Sequence, residues 1–232
     1  MLLVIINIFN IYWCVVMLLE QCVVSRNMNG RYHLIHSRDY TFNGLSYRLL
    51  YDPLKRNNSP IRKEIINAFI KQLRAMQSLY KKSFAFRFDL SVPEGMSISE
   101  SNMLIRQLFH GLRKQFKKKI WNNQPIKNWA YGWVCEKEKA KQVHYHCWIA
   151  LPYFQVRTAG FGESGMIGLI SNLWKRLTSD VSRVHLAGGR YILKQDDHSS
   201  LVNLVERISY LAKDRGKFSS GEGQRIFSTS KL

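Results

Sequence analysis

A chain of 232 residues has room for one sizeable core with extensions, and no repeat of fixed period runs through it, which excludes a solenoid. Hydrophobic residues make up 46% and aromatics 12%, which excludes a disordered polymer. The 35 Lys plus Arg outweigh the 16 Asp plus Glu by +19, so the expected partner is a polyanion: nucleic acid first, an anionic membrane surface second. A solvated basic face is the plain alternative. Clustering of the bases speaks against it, at Arg62, Lys63, Lys71, Arg74, Lys81 and Lys82, and again at Lys114, Lys117, Lys118 and Lys119.

Residues 1–19 are nearly all apolar, broken only by Asn7 and Asn10. No basic region precedes this stretch and no small-residue cleavage site follows it, so it does not read as a signal peptide. Two readings of residues 1–27 stay open: a membrane anchor, and a start codon placed too early with the true chain beginning at Met28. The abrupt polar turn after Met28 slightly favours the second. Residues 28–60 look irregular, and residues 28–83 read as an N-terminal extension. Within it, Ile65, Ile66, Phe69, Ile70, Leu73 and Met76 recur at helical spacing between bases. Residues 84–91 alternate strictly, with Phe84, Phe86, Phe88 and Leu90 on one face and Arg87, Asp89 and Ser91 on the other, which predicts a strand. Ser97 with Glu100 forms a capping box that opens a helix carrying Leu104, Leu108, Leu112 and Phe116.

Strands are expected over 129–136 and 143–151, joined by a short charged link, then a helix from Met166 and a strand over 184–193 with a bulge or turn at Gly188-Gly189. A last helix runs from Leu201 to about Lys213. The expected fold class is therefore α+β: a ferredoxin-like split βαβ antiparallel sheet over residues 84–218, helices on one face, the other face left open for a ligand. Residues 219–232 read as a basic Gly/Ser-rich tail. The four cysteines show neither CxxC nor zinc-finger spacing, and Cys135 and Cys147 fit as small core residues. A reducing, cytoplasmic compartment suits that usage.

Strand periodicity puts His144 and His146 on one face and Val143, Tyr145, Cys147 and Ile149 on the other. An HxH pair alone is weak evidence for a metal. Glu136 on the preceding strand strengthens it, because a short hairpin brings its carboxylate beside both imidazoles; Glu138 competes for the third ligand position. Two histidines and a carboxylate suit a divalent ion with open positions for substrate oxygens. Tyr210 and Lys213 lie three apart on one helical face, so phenol and ammonium can meet one phosphate. By itself that pair is more simply a core aromatic and a helix-end cation.

Taken together, the Phe86-Arg-Phe-Asp-Leu-Ser91 strand, His144-x-His146 and Tyr210-x-x-Lys213 resemble the HUH endonucleases, initiators of rolling-circle replication. The stretch from Tyr210 to Arg215 and the end from Arg225 to Leu232 are similar to replication-associated proteins of filamentous phages (inoviruses) and their prophage relatives. The resemblance covers about residues 28–232. It implies a nicking and joining cycle on single-stranded DNA at a replication origin: Mg²⁺ or Mn²⁺ on His144, His146 and Glu136, attack by Tyr210, and charge neutralisation by Lys213. It implies dependence on the host replication machinery. No GxxxxGK[ST] loop is present, so no nucleotide cofactor is expected. Arg87, the basic run Lys114, Lys117 and Lys118, and Arg215, Lys217 and Arg225 near the C-terminus are the cations expected to meet DNA. Rival readings are a non-catalytic prophage DNA-binding regulator, a membrane-anchored basic protein and a zinc hydrolase using the same histidines.

Overall fold

The computed structural model describes residues 24–26, 30–52, 54, 58–137, 142–217 and 224–232. In chain order these form β1 (Val24–Arg26), β2 (His33–Ile35), β3 (Asp39–Phe42), β4 (Leu45–Arg48), β5 (Ile61–Arg62), α1 (Lys63–Leu79), β6 (Lys82–Ser91) and α2 (Ile98–Phe116). There follow β7 (Ala130–Glu136), β8 (His144–Pro152), α3 (Gly165–Leu177), β9 (Val184–Lys194), α4 (His198–Ser209), a 3₁₀ turn (Tyr210–Ala212) and β10 (Phe227–Thr229). The apolar N-terminal segment and Glu138 lie outside the described residues. Among the described residues, no helix is long and apolar enough to cross a membrane.

β6, β7, β8 and β9 build one antiparallel sheet in the order β10-β7-β8-β6-β9. The protein is α+β, and its β6-α2-β7-β8-α3-β9 path is the split arrangement that the periodicities predict. Alternation does the sorting. Phe84, Phe86, Phe88, Tyr145, Cys147 and Ile149 bury one face against Ile105, Leu108 and Leu112 of α2, and against Ile170 and Trp174 of α3. The capping box holds the start of α2: the Ser97 hydroxyl accepts from the Glu100 backbone N–H at 3.3 Å, and the Glu100 carboxylate accepts from the Ser97 N–H at 3.0 Å. Burial pushes the Cys135 thiol up to about 12, so it stays a protonated core group.

The second face is not open, as the periodicities had suggested, because α1 and α4 cover much of it. Small residues explain how. Ala85, Ala130, Gly132 and Ala150 leave space for the apolar side of α1, and Phe69 meets Trp148 edge-on with ring centroids 5.5 Å apart. α4 brings Leu201, Leu204, Val205 and Ile208 to the same layer. Further along each strand the same face turns polar, from Ala85 to Arg87 and Asp89, from Val134 to Glu136, from Trp148 to His146 and His144. Only that polar end is left for chemistry.

Two further departures matter. The described residues between 30 and 60 hold more regular structure than their irregular pattern suggests: β3 and β4 pair as a hairpin, and β2 joins β1 and β5, on either side of this span, in a small sheet. The C-terminal stretch ends as a strand, since Phe227, Ser228 and Thr229 pair with Val134, Trp133 and Gly132, and the Ser230 hydroxyl donates to Gln72 of α1 at 2.7 Å. The Gly188-Gly189 bulge is real: β9 shifts register against Phe86 and Arg87, and Gly189 takes φ 106, where a side chain would strike the Tyr191 ring.

The close approach of α1 gives a direct stability test. A Cβ on Gly132 would run into both the Trp148 indole and the Phe69 ring. Gly132→Ala is expected to lower the unfolding free energy by about 1–3 kcal/mol in urea titration, through overpacking rather than lost hydrophobic area.

Candidate metal centre

β8 carries the two histidines where it leaves the cover of α1. Its register sets Glu136 of β7 opposite His144, and Asp89 of β6 opposite His146. One donor atom each from Glu136, His144 and His146 lies within 4.8 Å of the others, a spacing that one ion can bridge. The imidazole planes are nearly perpendicular, at 88°, with centroids 5.0 Å apart.

Each imidazole is oriented from behind. His144 Nδ1 donates to the Gln142 carbonyl at 3.1 Å, and His146 Nδ1 lies 2.6 Å from Asp89 Oδ1. Both contacts engage Nδ1 and leave Nε2 as the candidate ligand atom, which is the way outer carboxylates and carbonyls position metal-binding histidines. His146 Nε2 meanwhile sits 3.3 Å from Glu136 Oε2. Burial works against a charge on His146, but its hydrogen bonds to Asp89 and Glu136 outweigh that and raise its pKa. The local field therefore favours a cation between the two carboxylates.

Glu136 is only 2% exposed. Burial alone would raise its pKa; the hydrogen bond from His146 and the charges of Lys217 and Lys213 instead hold it well below the usual carboxylate range. Lys217 Nζ reaches Glu136 Oε1 at 2.8 Å, and Lys213 Nζ lies 3.6 Å from Oε2. Lys217 is fully enclosed there, and burial brings its pKa down to about 8 despite Glu136. The sequence expectation that Lys217 contacts DNA is thus corrected: its ammonium neutralises a buried carboxylate. The turn from Lys213 to Lys217 is pinned by Arg62, whose Nε donates to Asp214 Oδ1 at 2.6 Å and whose Nη2 donates to the Lys217 carbonyl at 3.0 Å.

Tyr210 opens the 3₁₀ turn that follows α4, and 42% of it is exposed. Lys213 Nζ donates to its phenolic oxygen at 2.8 Å and also stands 4.0 Å from the ring centroid. One ammonium therefore links the phenol to the Glu136 carboxylate. Arg87, 4% exposed, lies 3.9 Å from Asp89, with its guanidinium carbon 5.9 Å from the Tyr210 ring centroid. Its Nε is buried without a hydrogen-bond partner. Arg87 is a donor inside the site, not a surface contact.

The other predicted cations are scattered. Arg215 is exposed on the Lys213–Lys217 turn, close to Tyr210 in sequence. Lys114, Lys117 and Lys118 are exposed at the C-terminal end of α2, on the opposite face of the sheet and at its other end, where Phe116 packs on Trp129. They are not brought to the metal centre, because clustering along a chain says nothing about which face a helix turns to solvent. Arg225 is exposed just before β10. The roles of Asp89, Arg62 and Lys217 were missed; the parity of Asp89 was visible, but its role depends on β6 lying next to β8.

The chain belongs to the YagK/YfjJ C-terminal domain family, whose model matches residues 46–230. No curated protein and no solved structure matches it.

Mn²⁺ should raise the melting temperature of the protein in a concentration-dependent way, and the His144→Ala/His146→Ala double variant should lose that shift. Asp89→Asn, which keeps all three ligands, is expected to weaken Mn²⁺ binding about 10–100-fold by calorimetry. Equal shifts in all three proteins would remove the site.

Proposed function

From membership of this prophage-associated family and the arrangement around Lys213, we propose that the chain nicks and rejoins single-stranded DNA with Tyr210 as nucleophile, initiating rolling-circle replication of a phage or prophage. The observation that carries this reading is the shared ammonium: Lys213 lies 2.8 Å from the Tyr210 phenol and 3.6 Å from the Glu136 carboxylate. A phosphate held between them would touch nucleophile, cation and metal ligands together. The net charge of +19 supports a DNA substrate independently.

In this reading His144, His146 and Glu136 would hold Mg²⁺ or Mn²⁺, and the bound ion would supply Lewis-acid polarisation of a phosphate. Arg87, beside Asp89 and with its guanidinium carbon 5.9 Å from the Tyr210 ring centroid, adds positive charge next to the phosphate. Tyr210 loses its proton and its oxygen bonds to phosphorus; the bond from phosphorus to the 3′ oxygen breaks, and that oxygen takes up a proton. The products are a 5′-phosphotyrosine and a free 3′-hydroxyl that the host replication machinery extends. Because one phosphoester replaces another, the reverse attack by a 3′-hydroxyl reseals the strand without a nucleotide cofactor. Lys213 offsets charge on the transferred phosphate.

The test is a 3′-labelled single-stranded oligonucleotide library with Mn²⁺, resolved under denaturing conditions. The wild-type protein should form a denaturant-resistant adduct, EDTA should abolish it, and Lys213→Ala should slow it about 10²–10³-fold. Tyr210→Phe should bind DNA and form none. Binding without any cleavage would favour the non-catalytic regulator, and cleavage that survives Tyr210→Phe would favour hydrolysis by a metal-activated water.

A further inference from the structure

A second concentration of positive charge lies away from the metal centre. A groove of about 840 Å³ is lined by Arg106, Arg113 and Lys114 of α2, Arg176 of α3, and Arg225 and Lys231 on either side of β10. Among the described residues no Asp or Glu lines it, and none of these six cations has a carboxylate side chain as partner. All six are exposed. Like charges gathered this way repel one another and contribute nothing to folding, so their placement calls for an anionic ligand.

The groove lies on the α2/α3 side of the sheet, opposite the histidines. Its floor includes Tyr131 and Trp133 of β7, with Tyr131 stacked on Phe109 of α2 at a centroid distance of 3.9 Å and an interplanar angle of 13°. Ser228 and Thr229 of β10 add hydroxyl groups along one wall. Cations, hydroxyls and a partly exposed ring on one concave surface are the donor set that tracks a sugar-phosphate backbone and stacks a base. A flat lipid surface would not reach a recessed ring.

Continuity with the metal centre selects the occupant. The Cys135 N–H donates to the Ile226 carbonyl at 2.8 Å, which sets Arg225 abreast of the neighbouring Glu136 at the sheet edge. The Arg225 carbonyl in turn accepts from Asn102 of α2 at 2.9 Å. Arg225 thus stands where the two faces meet. β10 is two strands from β8, roughly 10 Å at normal strand spacing, a span of a few nucleotides.

We propose that this groove binds the single-stranded DNA flanking the scissile phosphate, so that one strand crosses the β10 edge from the metal face to the α2/α3 face. The proposal rests on the nicking reading for its substrate. It gives Lys114 and Arg225 a role in DNA binding on the far side of the sheet from Tyr210.

Photocrosslinking tests it. Oligonucleotides with 4-thiothymidine at successive positions are bound to full-length Tyr210→Phe protein in Mn²⁺, and crosslinked peptides are mapped by mass spectrometry. Positions a few nucleotides from the metal should crosslink to 103–114 and 225–231. The Arg106→Glu/Arg113→Glu/Arg176→Glu variant should lose those crosslinks and flatten the log–log salt dependence of binding by about two, at roughly 0.7 per phosphate contact. Crosslinks confined to the histidine face, or anionic vesicles protecting the groove while DNA leaves it untouched, would overturn the proposal. Adduct formation by wild-type protein is read separately. Groove crosslinks without an adduct refute nicking and keep the groove, whereas an adduct without groove crosslinks does the reverse.

Discussion

Burying the Glu136 carboxylate constrains the whole site. A carboxylate at 2% exposure is tolerated only with nearby opposite charge and satisfied oxygens. Lys217 supplies one partner at 2.8 Å and Lys213 another at 3.6 Å. Both come from the same turn, so holding the charge on β7 fixes a segment 81 residues further along the chain. Arg62 pins that turn through Asp214, tying β5 and α1 to the same centre. Tyr210 is delivered as a consequence, since it begins the 3₁₀ turn that leads directly into Lys213. Replacing Glu136 by a neutral group would leave the enclosed Lys217 ammonium without its carboxylate partner.

The division of the sheet's second face follows from residue size and polarity along each strand. Where Ala85, Gly132 and Ala150 keep the surface low, α1 can lie close, and Trp148 fills the remaining depth. Where Arg87, Glu136 and His146 begin, a helix laid across would strand polar atoms, and the cover stops. The helix layer thereby forms one wall of the metal centre, and α4 ends at the other with Tyr210. Enclosure on these sides gives the buried Arg87 and Lys217 their low exposure while Tyr210 and His144 remain reachable.

Local periodicity made much of this legible. Period-two alternation separated His144 and His146 from Tyr145 and Cys147, and the element order pointed to the antiparallel sheet, because both depend on neighbours within a few residues. The cover on the second face was not legible. α1 precedes the βαββαβ path, and nothing in its spacing says that it folds back over Gly132. The partnership of Lys217 with Glu136 was hidden for a similar reason: a lysine in a basic stretch reads as solvent-exposed until the chain returns to bury it. The placement of the charge clusters was not legible either. Lys114, Lys117 and Lys118 were expected to meet DNA, and spacing along the chain did not show that α2 carries them to the far end of the opposite face from the histidines.

Charge around the centre narrows what it can bind. Asp89 and Glu136 contribute two negative charges, and Arg87, Lys213 and Lys217 three positive ones, all within a largely enclosed space. A divalent cation, if the proposed ligands held one, would leave an excess of three positive charges in surroundings where water screens poorly. A phosphodiester brings one negative charge, and a tyrosine that gives up its proton brings another as it bonds to phosphorus. On the proposed nicking reading the excess would be reduced most with a phosphodiester and a deprotonated Tyr210 both present, which is the condition that separates stabilising a transition state from merely binding a substrate. A neutral ligand, or one that left Tyr210 protonated, would leave most of that field uncompensated.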